Sequence, residues 1–330
     1  MNLKTWAIRA VKALLVGGIL TYLVESERLD LKSMSLLYSE PWIMLMVALL
    51  IFFGANGLSA MRWRVLMSIH VGTPTFSRLF SIQLIGQFFA AVLPGTVSTD
   101  GVKAFYMIKE SKGILSKTPI LSVLIIDRLA GLFGLVLLSV LGLLILGNAS
   151  HSTGLLEILV FGLFGGMTLF FLLLLLPVPE HKDPILKLFP KLPKGALLEK
   201  IYRAFVSFRG HRLYLLVGIC ISVIIQLLLV VCFYLLGPLV CNCSPDPFVL
   251  AFVTPLGELS TVVPLGPAGI GVGHVAYAYL WSAQGMKGGA DVFNLFTIMR
   301  ILAGLVCGIP YLLYKKRDGA PPSLDDESAP

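Results

Sequence analysis

Four ionisable residues stand where the chain is otherwise fit for hydrocarbon: Asp127 and Arg128 in one apolar run, Glu258 and Arg300 in two others. A charge at the bilayer centre costs about 2.5 to 3.5 kcal/mol on insertion scales, so each must pair or face a wet cavity. Two chemistries meet that demand. Asp127 with Arg300, or Glu258 with Arg128, can form buried ion pairs that hold helices together and do nothing else. Alternatively the arginines can meet a phosphate-bearing headgroup, because a planar guanidinium grips two phosphate oxygens at once. Four further residues are candidates for the same polar centre. Gln87 is an amide in an apolar segment and must find a partner. Asp100 and Lys103 line the cytoplasmic mouth of a turn, or belong to a solvated loop. His274 is either a proton site or a packed neutral ring.

Other chemistries lack their residues. The run Gly-Pro-Ala-Gly-Ile-Gly-Val-Gly at 266–273 is like a phosphate-cradling loop only in composition, since no strand precedes it and no Lys-Ser or Lys-Thr follows. The sequence offers no nucleophile–base pair and no cluster at metal-ligand spacing. An enzyme is therefore not expected, nor a metal or cofactor. Cys220, Cys232 and Cys307 read as small hydrophobes of apolar helices. Cys241 and Cys243 stand too close for a relaxed disulfide and too sparse for a metal.

The elements that must position these residues are membrane helices. Of 330 residues, 57% are hydrophobic and only 13% charged, where a soluble domain carries about 25% charged. Apolar runs at residues 6–24, 42–60, 119–147, 155–176, 213–236 and 292–314 are each long enough to cross a bilayer. The fold class expected is all-α: a polytopic helical membrane protein. The net charge of +8 is lopsided. On this topology 21 of the 26 Lys and Arg lie on one side, and Arg28, Lys32 and Lys287 on the other. That is the positive-inside pattern, with both termini cytoplasmic in a plasma membrane. It points to anionic headgroups rather than nucleic acid as the partner of the basic face. Residues 1–314 form the membrane domain, and the polar tail 315–330 is expected to be disordered. Tyr202, Phe205, Val206 and Phe208, within a basic cytoplasmic stretch, suit an amphipathic helix lying on the interface.

Two apolar segments are broken. Residues 76–94 end in Leu-Pro-Gly with basic residues at both ends, and 248–281 contain Pro255, Pro264, Pro267 and four glycines. Each reads as a re-entrant hairpin, one turning at Pro94 and Gly95, the other at Pro264 with Gly266, Gly269 and Gly271. Such backbone is tolerated at membrane depth only where protein or a wet cavity surrounds it. The two hairpins belong to repeat halves, about 42–147 and 213–314, of opposite topology. Gln87 to Glu258 is 171 residues, Pro94 to Pro264 is 170, and Arg128 to Arg300 is 172. Inverted repeats with broken segments at matching places point to a transporter's central site.

Leu93-Pro94-Gly95 followed by Asp100, Ile126-Asp127-Arg128-Leu129 with Gly131, and the segment from Glu258 to Gly273 together resemble the flippase-like transmembrane domain of lysylphosphatidylglycerol synthases. The resemblance runs from about Trp42 to Tyr314. It implies a stand-alone membrane unit of eight-helix type that moves a lipid headgroup between leaflets. The sequence departs from the family's pattern at Ser98 and Thr99, where a Gly pair is usual, at Lys103 in place of arginine, and at His274 in place of glutamate. The cytoplasmic synthase domain is absent from this polypeptide, so aminoacyl transfer is not expected of it. The function expected is a lipid translocase working by alternating access on a phospholipid or lipid-linked headgroup. The alternatives are a non-catalytic partner of a cytoplasmic lipid-modifying enzyme or glycosyltransferase, and a membrane-embedded transferase using Asp127 or Asp100 as base.

Overall fold

The computed structural model describes residues 36–69, 74–92, 97–110, 117–147, 154–176, 206–241, 244–262 and 271–314, with 183, 199, 202 and 203 beside them. The expected first span at 6–24, the tail 315–330, and the turn residues Pro94, Gly95, Pro264, Gly266 and Gly269 lie outside the described residues.

After a single turn at Leu36–Ser39, the chain forms ten longer helices and a 3-10 turn at Ser207–His211 among the described residues. They are α1 (Pro41–Met67), α2 (Phe76–Val92), α3 (Val97–Glu110), α4 (Lys117–Leu146), α5 (Gly154–Leu175), α6 (Arg212–Cys241), α7 (Pro247–Ser260), α8 (Val272–Ala283), α9 (Gly289–Val306) and α10 (Gly308–Tyr314). No strand occurs among these residues. Five helices are long and apolar enough to cross a membrane: α1, α4, α5, α6 and α9 continued into α10. Their starts follow local chemistry. Pro41 and Pro247 open α1 and α7, where the missing N–H costs nothing. The Asp246 carboxylate accepts the Phe248 N–H at 2.7 Å as the N-cap of α7. Residues 50–55 of α1 form a π-turn.

The outward faces carry Leu155, Ile158, Leu169, Leu172, Leu213 and Leu216, all exposed, as hydrocarbon in place of water requires. Cys220 faces outward too, while Cys232 and Cys307 are buried. Cys241, read from the sequence as unbridged, takes part in a disulfide. Phe208 also departs from expectation. It is fully buried in the core rather than lying on an interface. Just before α6, Arg209 donates to the Asp183 carboxylate at 3.0 Å, to the Tyr202 hydroxyl at 3.0 Å and to the Leu174 carbonyl at 3.2 Å, which ties this segment to the end of α5. Burial and the Asp183 carboxylate at its hydroxyl push the Tyr202 phenol above its ordinary range.

Within the bundle α1 packs on α2, α4 and α6, and α6 on α4, α7 and α9. α2 packs on α3, and α7 on α8; α3 meets α4, and α8 meets α9. Two longer-range contacts cross the bundle, α4 against α7 and α2 against α9. Both are close. A Cβ on Gly142 of α4 would stand 2.7 Å from the Phe252 amide nitrogen in α7, and one on Gly304 of α9 would stand 2.8 Å from the Ala91 Cβ in α2.

Two large apolar clusters fill the interior, with a small one at Leu84, Phe88 and Cys307. One takes Ile51 of α1, Leu138 of α4, Val230 and Phe233 of α6, with Tyr277 and Phe293 stacked at 4.8 Å. The other takes Trp63 of α1, Val123 and Ile126 of α4, and Leu215 of α6. Along α4 and α6, the turns between the clusters are where polar side chains gather.

Candidate functional site

Between these clusters lies a cavity of about 300 Å³, lined from α1, α2, α3, α4, α6, α7 and α9. Asp127 reaches it from the eleventh position of α4. At about 1.5 Å per residue that is roughly 15 Å along the helix, half of a hydrocarbon core about 30 Å thick. The lining holds Arg62, Lys103, Arg128 and Arg300 against Asp100, Asp127 and Glu258, an excess of one cation among the described residues.

The charges meet in three unlike pairs. Arg62 grips Asp127 with both arms of its fork, Nε to Oδ1 at 2.7 Å and Nη2 to Oδ2 at 3.1 Å, while Nη1 donates to the Ser222 hydroxyl at 2.9 Å. The side chains are 11% and 5% exposed, so this planar pair is nearly dry and ties α1, α4 and α6 together. Arg128 touches Asp100 of α3 through one nitrogen at 3.1 Å, with the two side chains 33% and 26% exposed. Arg300 donates from Nη1 to Glu258 Oε2 at 3.3 Å and lies over the Phe296 ring at 5.5 Å from its centroid. Glu258 Oε1 is buried without a hydrogen-bond partner.

Lys103 is buried rather than set at a solvated mouth. Its ammonium lies 5.4 Å from the Trp63 ring centroid, an attraction that strengthens as water is excluded. The structure therefore brings Gln87, Asp100, Lys103, Asp127, Arg128, Glu258 and Arg300 to one cavity. His274 is not among its lining residues. It sits in the first turn of α8, where Nδ1 accepts the Gly271 N–H at 3.4 Å and the ring stands edge-on to Phe293. Gly271 takes φ 95°, the left-handed region open to a residue without a Cβ.

The pairings expected from the sequence are not the ones formed. Asp127 pairs with Arg62 instead of Arg300, Glu258 with Arg300 instead of Arg128, and Arg128 with Asp100. The apolar run 42–60 stops short of Arg62, which by sequence counts among the 21 basic residues on the cytoplasmic side. The helix runs on to Met67, which draws Arg62 inward by more than a turn. Gln83 and Gln226 were also missed, though each is an isolated amide in an apolar run and Gln83 stands one helical turn before Gln87, on the same face.

Helices apolar enough to span a bilayer, wrapped around a charged interior cavity, define a polytopic helical membrane protein. Residues 9–308 match the lysylphosphatidylglycerol synthase TM region, and the chain belongs to that family. No curated protein and no solved structure matches it.

Proposed function

We propose that this protein is a lipid translocase, not an enzyme, that carries a phospholipid or lipid-linked headgroup through its charged cavity by alternating access. The observation that carries this reading is that one cavity takes charges from both halves of the chain, Asp100 and Arg128 from the first, Glu258 and Arg300 from the second, with one cation in excess. An anionic phosphate is the complement of that excess. A guanidinium carries five N–H donors, so Arg128 and Arg300 can take phosphate oxygens while keeping the carboxylates they touch at 3.1 and 3.3 Å.

The packing supports two inverted halves. Exchanging α1, α2, α3 and α4 for α6, α7, α8 and α9 converts each helix contact named above into another that is present, including α4 on α7 into α9 on α2. Side chains keep step as well. Asn56 and Gln226 are 170 residues apart, in line with the offsets of Gln87 and Glu258 and of the two arginines. In this reading α2 with α3, and α7 with α8, are hairpins entering from opposite faces. Rocking of one half on the other would open the cavity to each leaflet in turn. The protein resides in the plasma membrane with both termini cytoplasmic, as the placement of basic residues favours.

Reconstitution in liposomes with a headgroup-labelled phospholipid tests the reading. The wild type is expected to move the lipid, and the double variant Arg128→Ala with Arg300→Ala to do so at least about tenfold more slowly, the loss of a charged hydrogen bond or two. Equal rates for the two proteins would overturn it.

A further inference from the structure

The carboxylates and guanidiniums of the cavity are paired, but three oxygens that line it accept no hydrogen bond. Gln83 Oε1, Gln226 Oε1 and Glu258 Oε1 are all buried without a hydrogen bond. For an amide, which end is left unpaired depends on its neighbours, and for Gln83 the neighbours leave no choice. The π-turn at 50–55 brings the Ile51 carbonyl to the Asn56 side chain, and a carbonyl can only accept. Asn56 must therefore aim Nδ2 at Ile51, at 3.0 Å, and turn Oδ1 toward Gln83. That oxygen in turn requires the Gln83 nitrogen, which donates to it at 3.2 Å. What Gln83 presents to the cavity is thus an acceptor. Asn56 and Gln83 are 4% and 5% exposed, so bulk water does not disturb the relay.

We propose that Gln83, with Gln226 and Glu258, determines headgroup specificity by accepting hydrogen bonds. The preferred substrate carries N–H or O–H groups, an ammonium or hydroxyls, beside its phosphate. The proposal rests on the cavity being a headgroup site, but not on transport. A site built around buried acceptors discriminates strongly against an analogue that lacks the donor, because the acceptors then stay unpaired.

The test is binding to the purified full chain in detergent, read as the rise in melting temperature with short-chain phospholipids of identical acyl chains. Ethanolamine and glycerol headgroups carry donors, whereas choline keeps the phosphate and positive charge but has no N–H or O–H. The wild type is expected to half-saturate with the ethanolamine or glycerol lipid at about tenfold lower concentration than with the choline lipid. Whichever of the two is tighter tells whether N–H or O–H is read. Gln83→Met should erase the preference, bringing the half-saturating concentrations of the ethanolamine and glycerol lipids to that of the choline lipid. Gln226→Met, whose amide oxygen has no partner to lose, should weaken the preference in a protein that folds normally. Equal binding of all three lipids, binding of none, or a preference that survives both variants would overturn the proposal. Intact preference without transport in liposomes would instead overturn the translocase reading alone.

Discussion

Of the three ion pairs in the cavity, Arg62–Asp127 differs from the others in kind. Both carboxylate oxygens are taken and the third guanidinium arm is held by Ser222. That pair is architecture. Arg128–Asp100 and Arg300–Glu258 line the cavity with contacts of 3.1 and 3.3 Å between more exposed side chains, which suits groups that meet a ligand. Removing one partner of a buried pair strands the other charge, so Asp127→Ala is expected to cost about 3 to 5 kcal/mol. Replacing both, Arg62→Met with Asp127→Leu, should recover most of that loss. Thermal melting in detergent checks both, and a double variant as unstable as the single would show that the pair is not acting through charge. Glu258→Gln is predicted to behave differently. Its amide oxygen still accepts from Arg300, so melting should shift little, by about 1 kcal/mol, while the labelled-lipid rate falls. That Asp127, Arg128, Glu258 and Arg300 would share a centre was legible from their cost in hydrocarbon; that Arg62, Gln83 and Gln226 would join them, that His274 would not, and how the charges would pair was not. Pairing depends on helix rotation and on how far α1 runs, and no single-residue property carries either.

At the scale of elements the long spans were plain in the sequence, because a run of twenty apolar residues has few other uses. The ends were less so. α1 extends to Met67, beyond its apolar run, with Arg62 held inside by Asp127 and Ser222, and α6 continues to Cys241 through Gly237 and Pro238. The close crossings were not legible at all. Gly142 and Gly304 stand in apolar runs, as Gly162, Gly165 and Gly166 do in another, and nothing local separates them. The packing does. The space beside Gly165 is empty, whereas Gly142 lies against the backbone of α7. Gly142→Ala should therefore push α4 from α7 and cost about 1 to 3 kcal/mol, as overpacking does. Gly165→Ala should change stability by less than about 0.5 kcal/mol. Parallel melting curves distinguish them, and equal effects would mean that the α4–α7 crossing is looser than its geometry.

For the whole molecule, the decisive quantity is length against bilayer thickness. α2 has 17 residues, α3 14, α7 14 and α8 12. At about 1.5 Å per residue none exceeds roughly 26 Å, short of a hydrocarbon core about 30 Å thick. Each pair must then either share one crossing or enter and return. The choice fixes everything downstream, since a crossing by α2 and α3 together would reverse the direction of α4 and every later span. Charge favours return: Arg78 at the start of α2, half-buried, and Lys109 at the end of α3, exposed, are both basic, as cytoplasmic ends are. Cysteines at these two positions are predicted to react with an impermeant maleimide from the same side of the membrane. Cysteines at Ser244 and Lys287, exposed at the outer ends of α7 and α8, should react from the opposite side. Sealed vesicles of known orientation, with the parent protein as control for the native thiols, give the answer. Labelling of positions 78 and 109 from opposite sides would make α2 and α3 one crossing. The two halves would then no longer be mirror-related, and the cavity would lose the symmetry by which it could open in turn to each leaflet.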